Sequence, residues 1–172
     1  MTNDERLLGF RAVAHPLRLR ILSLLTGASM SAAEVGRELG ESQANVSYHL
    51  RRLHAAGLLR IAEEVSIRGG RAKRYRHDPA SGERLVSGQE DHVAMAAALG
   101  EELRRRTELR SPRGRSTVTD AEVWVEPRVW QAAMHHARQV SELLHASAKP
   151  PRTPGTVRVS ATVSLFPMDP RR

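Results

Sequence analysis

Apolar positions in the first half of the chain recur at helical spacing. Leu7, Leu8, Phe10 and Val13 predict a helix over about residues 4–14. Leu17, Leu19, Ile21, Leu22, Leu24 and Leu25 are dense enough for a buried helix that ends near Gly27. Pro16 fits its first turn, where a missing N–H costs nothing. Ser31 with Glu34 three residues later is a capping box for a third helix, with Ala32, Val35 and Leu39 as its apolar set and Gly40 as its end. Ser42 caps a fourth, running to about Ala55–Ala56, with Gly57 just past its end. The period then changes. Leu59, Ile61, Val65 and Ile67 lie two or four apart, which predicts a strand, and Gly69-Gly70 turns it into a second strand through His77.

Past a breaker-rich seam, His77-Asp78-Pro79-Ala80-Ser81-Gly82, the pattern starts afresh. Val93, Ala96, Leu99 and Leu103 lie along one side of a helix over about 84–109. Val118, Ala121, Val123 and Val125 predict a strand. Pro127 can start a helix to about Ala146, with Trp130, Ala133, Met134, Ala137, Val140 and Leu144 inward. Val157, Val159, Ala161, Val163 and Leu165 alternate with Arg158, Ser160, Thr162 and Ser164, the pattern of a strand with one face buried.

Two helices joined by a short turn and followed by a basic hairpin are the layout of a winged helix-turn-helix. A helix fits the major groove of B-DNA, and a basic hairpin reaches neighbouring phosphates or the minor groove. The predicted fold is mainly α with an α+β C-terminal part. Residues 1–82 form the winged helix-turn-helix. Residues 83–172 form a small helix-strand-helix-strand domain for dimerisation or effector binding.

At 100° per residue, Val46, Leu50 and Leu53 of the fourth helix share a narrow arc that must face the core. Ala44, Ser47, Tyr48 and Arg51 fall opposite, a surface able to read base edges. Gln43, in the first turn, could pair with adenine, while Asn45 and Arg52 flank the face and suit phosphate. In the hairpin, Arg68, Arg71, Lys73, Arg74 and Arg76 are five cations in nine residues with no acid among them. Such a cluster repels itself unless an anion offsets it.

Charge over the whole chain agrees. Lys+Arg number 27 and Asp+Glu 19, a net charge of +8 over 172 residues. With a pI near 11.2, this points to a polyanion, nucleic acid before a membrane surface. The absence of cysteine excludes disulfides, thiolate metal sites and cysteine catalysis. No apolar run approaches transmembrane length, and the acidic start Met-Thr-Asn-Asp-Glu lacks a signal peptide's basic region, so a soluble cytoplasmic protein is expected.

Three stretches resemble the ArsR-type winged-helix transcriptional regulators: Ala12-Val13-Ala14-His15-Pro16-Leu17-Arg18-Leu19-Arg20-Ile21-Leu22, then Ser42-Gln43-Ala44-Asn45-Val46-Ser47-Tyr48-His49-Leu50-Arg51-Arg52-Leu53, then Ala56-Gly57-Leu58-Leu59. The resemblance covers about residues 5–78. It implies a homodimer on operator DNA, with repression relieved by an effector, here an unidentified small molecule. The family's recognition-helix contacts fall on Ser42, Gln43, Asn45, Ser47 and Tyr48. Where the family usually has Pro and Thr after the Gln, this chain has Ala44 and Asn45, and Tyr48 replaces a usual His, so operator sequence does not carry over.

Many such regulators sense metals. The thiolate motif is absent here, since that segment reads Ala33-Glu34-Val35-Gly36-Arg37. Glu90-Asp91-His92 echoes the family's other ligand motif, but the matching second pair would fall near Leu103 and Arg106. His135, His136 and His145 remain, and adjacent helical residues point about 100° apart. Neither metal nor cofactor is expected. Ser47 and His49 cannot act as nucleophile and base, pointing about 200° apart on a helix, so no enzymatic activity is expected. The competing reading is a ligand-binding or small enzymatic domain with accessory DNA binding, for which Trp124, Trp130 and Phe166 could line a pocket.

Overall fold

The computed structural model describes residues 12–67, 70–78, 81 and 89–170. The element order is α1 (Pro16–Gly27), α2 (Ala32–Leu39), α3 (Gln43–Ala55), β1 (Leu59–Ile67), β2 (Gly70–His77), α4 (Gln89–Glu108) and α5 (Pro127–Ala146). The helix expected at about 4–14 lies almost wholly outside the described residues; its last positions, Ala12 and Val13, are helical and buried.

Local chemistry sets the helix ends. Pro16 sits in the first turn of α1, and the ring Nδ1 of His15 accepts from the Leu17 N–H at 3.1 Å. At α2 the capping box is complete: Glu34 N–H donates to Ser31 Oγ at 3.4 Å, and Ser31 N–H donates to the Glu34 carboxylate at 2.7 Å. Ser42 Oγ accepts from Asn45 N–H at 3.2 Å to cap α3. Between α2 and α3 the chain turns at Gly40, with φ at 69°, a region that favours glycine. Gly36 is required for another reason. A Cβ there would meet the Glu41 carbonyl oxygen at 2.8 Å, so the turn closes directly onto bare backbone.

One core serves this unit. Ile21, Leu25, Val35, Val46, Leu50, Leu53 and Leu58 are almost fully buried, with Leu17, Leu22, Leu59 and Tyr75 around them. β1 and β2 pair antiparallel from Leu59↔His77 to Ile67↔Gly70, with a register shift between Ile61 and Glu63. Tyr75 also bridges to Met30, just ahead of α2, through main-chain hydrogen bonds of 3.1 and 2.9 Å. Residues 12–78 are thus a winged helix-turn-helix.

α4 packs on α1 through Asp91, Met95, Ala98 and Glu102. Its apolar side, with Val93, Ala96 and Leu103, faces solvent. Glu102 is 2% exposed and is gripped by Arg105 at 2.9 Å and Arg106 at 3.3 Å. Burial opposes its charge, but those cations outweigh it and hold the carboxyl below the ordinary range.

The C-terminal part departs from expectation. α5 spans Pro127–Ala146 as predicted, yet none of its residues is buried; Trp130, Met134 and Ala137 are only half-buried. Val118–Val125 and Val157–Leu165 form no strand among the described residues. Alternation marks a segment as fit for a ladder, but a ladder needs a partner, and neither segment pairs with the other. The α+β description therefore holds for the chain through its wing, while the described residues from Gln89 on form helices and no strand. This part meets the winged unit where Lys149 crosses Gly27, where Arg152 pairs with Glu38, and where the rings of His77 and His145 lie 6.3 Å apart.

At that last contact, Thr26 Oγ1 donates to the Leu22 carbonyl at 2.9 Å, which leaves a lone pair for His77 Nδ1–H, also at 2.9 Å. Burial, then the neighbouring His145, lowers the His77 pKa to about 4. Burial likewise lowers those of His15 and His49. The unfolded chain takes up these protons near pH 6.5 and the folded chain does not, so stability is complete above that pH and falls as pH drops toward 4. For His77 alone the loss amounts to at most about 3 kcal/mol. Urea unfolding at pH 7.5 and 4.5 should show this decline, and His77→Gln should flatten it by about 2–3 kcal/mol.

Candidate nucleic-acid interface

α3 divides as its sequence phase dictates. Val46, Leu50 and Leu53 are buried, and Gln43, Ala44, Asn45, Tyr48, Arg51 and Arg52 are exposed. His49 is buried too, its ring 4.9 Å from that of His15, so the imidazoles back the helix and do not face outward. The outer side chains are ordered by one another. Arg51 Nη1 donates to Ser47 Oγ at 2.9 Å. Arg52 Nη1 lies 3.5 Å from Tyr48 Oη, with its guanidinium 5.8 Å from the ring centre. Such pairing aims the two guanidiniums at reduced entropic cost. Asn45 is drawn the other way, donating from Nδ2 to the Glu41 carboxylate at 3.1 Å, and Ser42 is engaged as the cap. Glu41 also pairs with Arg20 at 3.6 Å.

The wing differs from its reading as a bare cationic hairpin. Across the ladder, Glu63 opposes Arg74 and Glu64 opposes Lys73. Arg74 turns inward. It pairs with Glu63 at 3.1 Å and Glu34 at 3.4 Å, and donates to the Ser29 carbonyl at 2.6 Å. It therefore ties the wing to the helix-turn-helix rather than standing ready for phosphate. Arg71 is loosely paired with Glu64 at 3.6 Å and is 80% exposed. Lys73 is exposed, and Arg68 lies outside the described residues.

Two further cations join the surface. Arg60 lies directly opposite Arg76 in the ladder, both exposed and neither with an ion-pair partner among the described residues. Like charges set opposite each other cost stability unless an anion arrives. The register shift between Ile61 and Glu63 brings this pair together; counting back from the turn without it would set Arg60 opposite His77, so no signal in the sequence marks the pair. Arg18, in the first turn of α1, lies near Arg52, and burial and then the Arg52 charge lower its pKa.

Among the described residues, no three His, Asp or Glu side chains come together as a metal site, and no helix is long and apolar enough to cross a membrane.

Residues 13–62 match the family model of a helix-turn-helix domain. The match spans α1 to α3 and the start of β1. No curated protein matches the chain. The matched domain points to DNA-binding transcription regulation, and the geometry of α3 and the wing is of the same kind.

The two classes of wing arginine should separate by experiment. Replacing Arg60 or Arg76 by Ala should leave unfolding nearly unchanged. Each should weaken binding to any duplex and lower the salt slope by about one unit per lost phosphate contact. Arg74→Ala should act on the fold, costing about 1–3 kcal/mol of stability by leaving Glu34 and Glu63 unpaired. Urea melts and salt-titrated binding on each variant make the comparison.

Proposed function

We propose that this chain is a homodimeric, ArsR-type transcriptional repressor that reads an inverted-repeat operator with α3 and grips the flanking phosphates with its wing. The observation that carries the reading is the joint placement of Ser47, Tyr48, Arg51 and Arg52 on the open face of α3 with the unneutralised Arg60–Arg76 pair on the hairpin. One surface supplies side chains suited to base edges, and the other supplies charge that only a polyanion offsets. The apolar side of α4, open at Val93 and Leu103, supports a two-fold contact that would set two α3 helices one DNA turn apart. Repression is relieved by a small-molecule effector rather than by a metal, and the chain has no enzymatic activity of its own.

Selection of bound duplexes from a random pool should enrich an inverted repeat with half-sites about 10–10.5 bp apart. Failure to enrich any sequence would refute the reading. On the selected operator, Arg51→Ala should cost about 1–3 kcal/mol, and much less on random duplex. Loss of selectivity in the wing variants but not in Arg51→Ala would reverse the roles of helix and wing. Operator affinity should be the same with and without a chelator, and stoichiometric zinc, nickel or cobalt should leave it unchanged.

A further inference from the structure

The C-terminal part is an unfinished layer. α5 and the chain from Ala161 to Leu165 face each other across a groove of about 360 Å³, walled by Met134, Val140, Leu144, Val163 and Leu165. The apolar side of that segment is thus already turned to a helix, as a strand's would be. Its main chain is not provided for: residues 157–168 make no backbone hydrogen bond among the described residues, nor do residues 117–125. Water can satisfy those groups, but it does not account for the apolar side chains between them. Of the nineteen large apolar residues left exposed among the described residues, fourteen lie between Val118 and Met168, with Trp124 at 87%.

That surface approaches the size of an interface. Burying a Val or Leu side chain at about 25 cal/mol per Å² corresponds to roughly 60–120 Å² each, so the ten of these residues on α5 and on the apolar parity of the two segments expose on the order of 500 Å² per copy, to which the unpaired main chain of both segments adds. A stable pair buries about 800 Å² on each partner.

Charge decides what covers it. Asp120 and Glu122 share one parity in the first segment with Val118 and Trp124, opposite to Ala121, Val123 and Val125, which form its wholly apolar face. Arg158 has the corresponding parity in the second, opposite to Val157, Val159 and Val163. None of the three has an ion-pair partner among the described residues. Laid side by side with apolar faces together, the two segments bring acids near a base on the outer face, whereas either segment paired with itself brings like charges together. Each copy offers both segments and, within itself, joins neither.

We propose that residues 118–125 and 157–165 are strands completed only by a second copy of this chain. Residues 118–125 of one copy ladder with 157–165 of the other, twice over, and the apolar face of the resulting sheet closes on the two α5 helices. This two-fold exchange is isologous and so stops at a dimer. It goes beyond the function proposed above by locating the principal seam between copies at the C-terminal strands, while sharing that reading's expectation of a dimer.

The test uses the full chain with Val159 and Val163 both replaced by Asp. In the single chain these residues are 64% and 55% exposed, so the winged unit has no reason to unfold, which circular dichroism and thermal melting verify. Sedimentation of the unaltered protein at micromolar concentration should give twice the 19.1 kDa chain mass. The double variant should dissociate at a concentration at least tenfold higher, or be monomeric. Hydrogen exchange should show the amides of 118–125 and 157–165 protected in the unaltered dimer and unprotected in the variant. A monomeric unaltered protein, a variant that dimerises as tightly, or a dimer with those amides open would each overturn the proposal. Binding to a half-site duplex separates it from the DNA reading. A strand-exchanged dimer that binds no duplex refutes the DNA reading alone, and a duplex-binding dimer indifferent to the two aspartates refutes this pairing alone.

Discussion

The position of the wing rests on two consecutive residues. Tyr75 bridges through its main chain to Met30, and Arg74 reaches Ser29, Glu34 and Glu63 with one guanidinium. Glu34 is at once a partner of Arg74 and half of the α2 capping box. The contact that starts α2 is therefore the contact that anchors the hairpin, and α3 follows α2 through a turn that Gly36 and Gly40 allow only one way. The angle between the reading helix and the wing is fixed by this chain of contacts, not by the core alone. A two-stranded hairpin has little stability by itself; here it borrows rigidity from a helix start.

Charge in the interface is sorted by the same ladder. The hairpin's cations looked equivalent along the chain, but pairing gives them different work. Arg74 is structural, Arg71 and Lys73 face acids on β1, and Arg60 with Arg76 is left uncompensated. The charge available to a partner is thus not that of the whole hairpin: Arg74 is withdrawn from it, while Arg60 with Arg76 at the base of the wing adds to the exposed Lys73 and the loosely paired Arg71.

What could be read from the sequence was whatever is encoded within a few residues. Ser31 with Glu34, Ser42, Gly40, Gly57, Pro16 and Pro127 each marked an element boundary, because caps and breakers act within one turn. The buried arc of α3 followed from the helical period. Arg74 could not be assigned from the hairpin alone: counting from the turn sets Glu63 opposite it, but Glu34 and the Ser29 carbonyl, which turn it inward, lie forty and more residues away. His15 as a cap was hidden because imidazole is an unusual choice for the role. The two C-terminal alternations were legible as strand-forming but not as strands, since the pattern says which side is apolar and nothing about which chain supplies the neighbour.

The two helices of the reading motif treat their first turns differently. α2 places its own carboxylate, Glu34, against its N-terminal amides, while the first turn of α3 contains no acid, and Glu41 just before it is occupied by Arg20 and Asn45. The amide dipoles at the start of α3 keep their partial positive charge on the exposed side of the motif. A phosphate laid there would be met by backbone N–H groups that are already oriented and lose no side-chain freedom on contact. Such a contact would belong to no side chain, so replacing the side chains of α3 one by one would never reveal it.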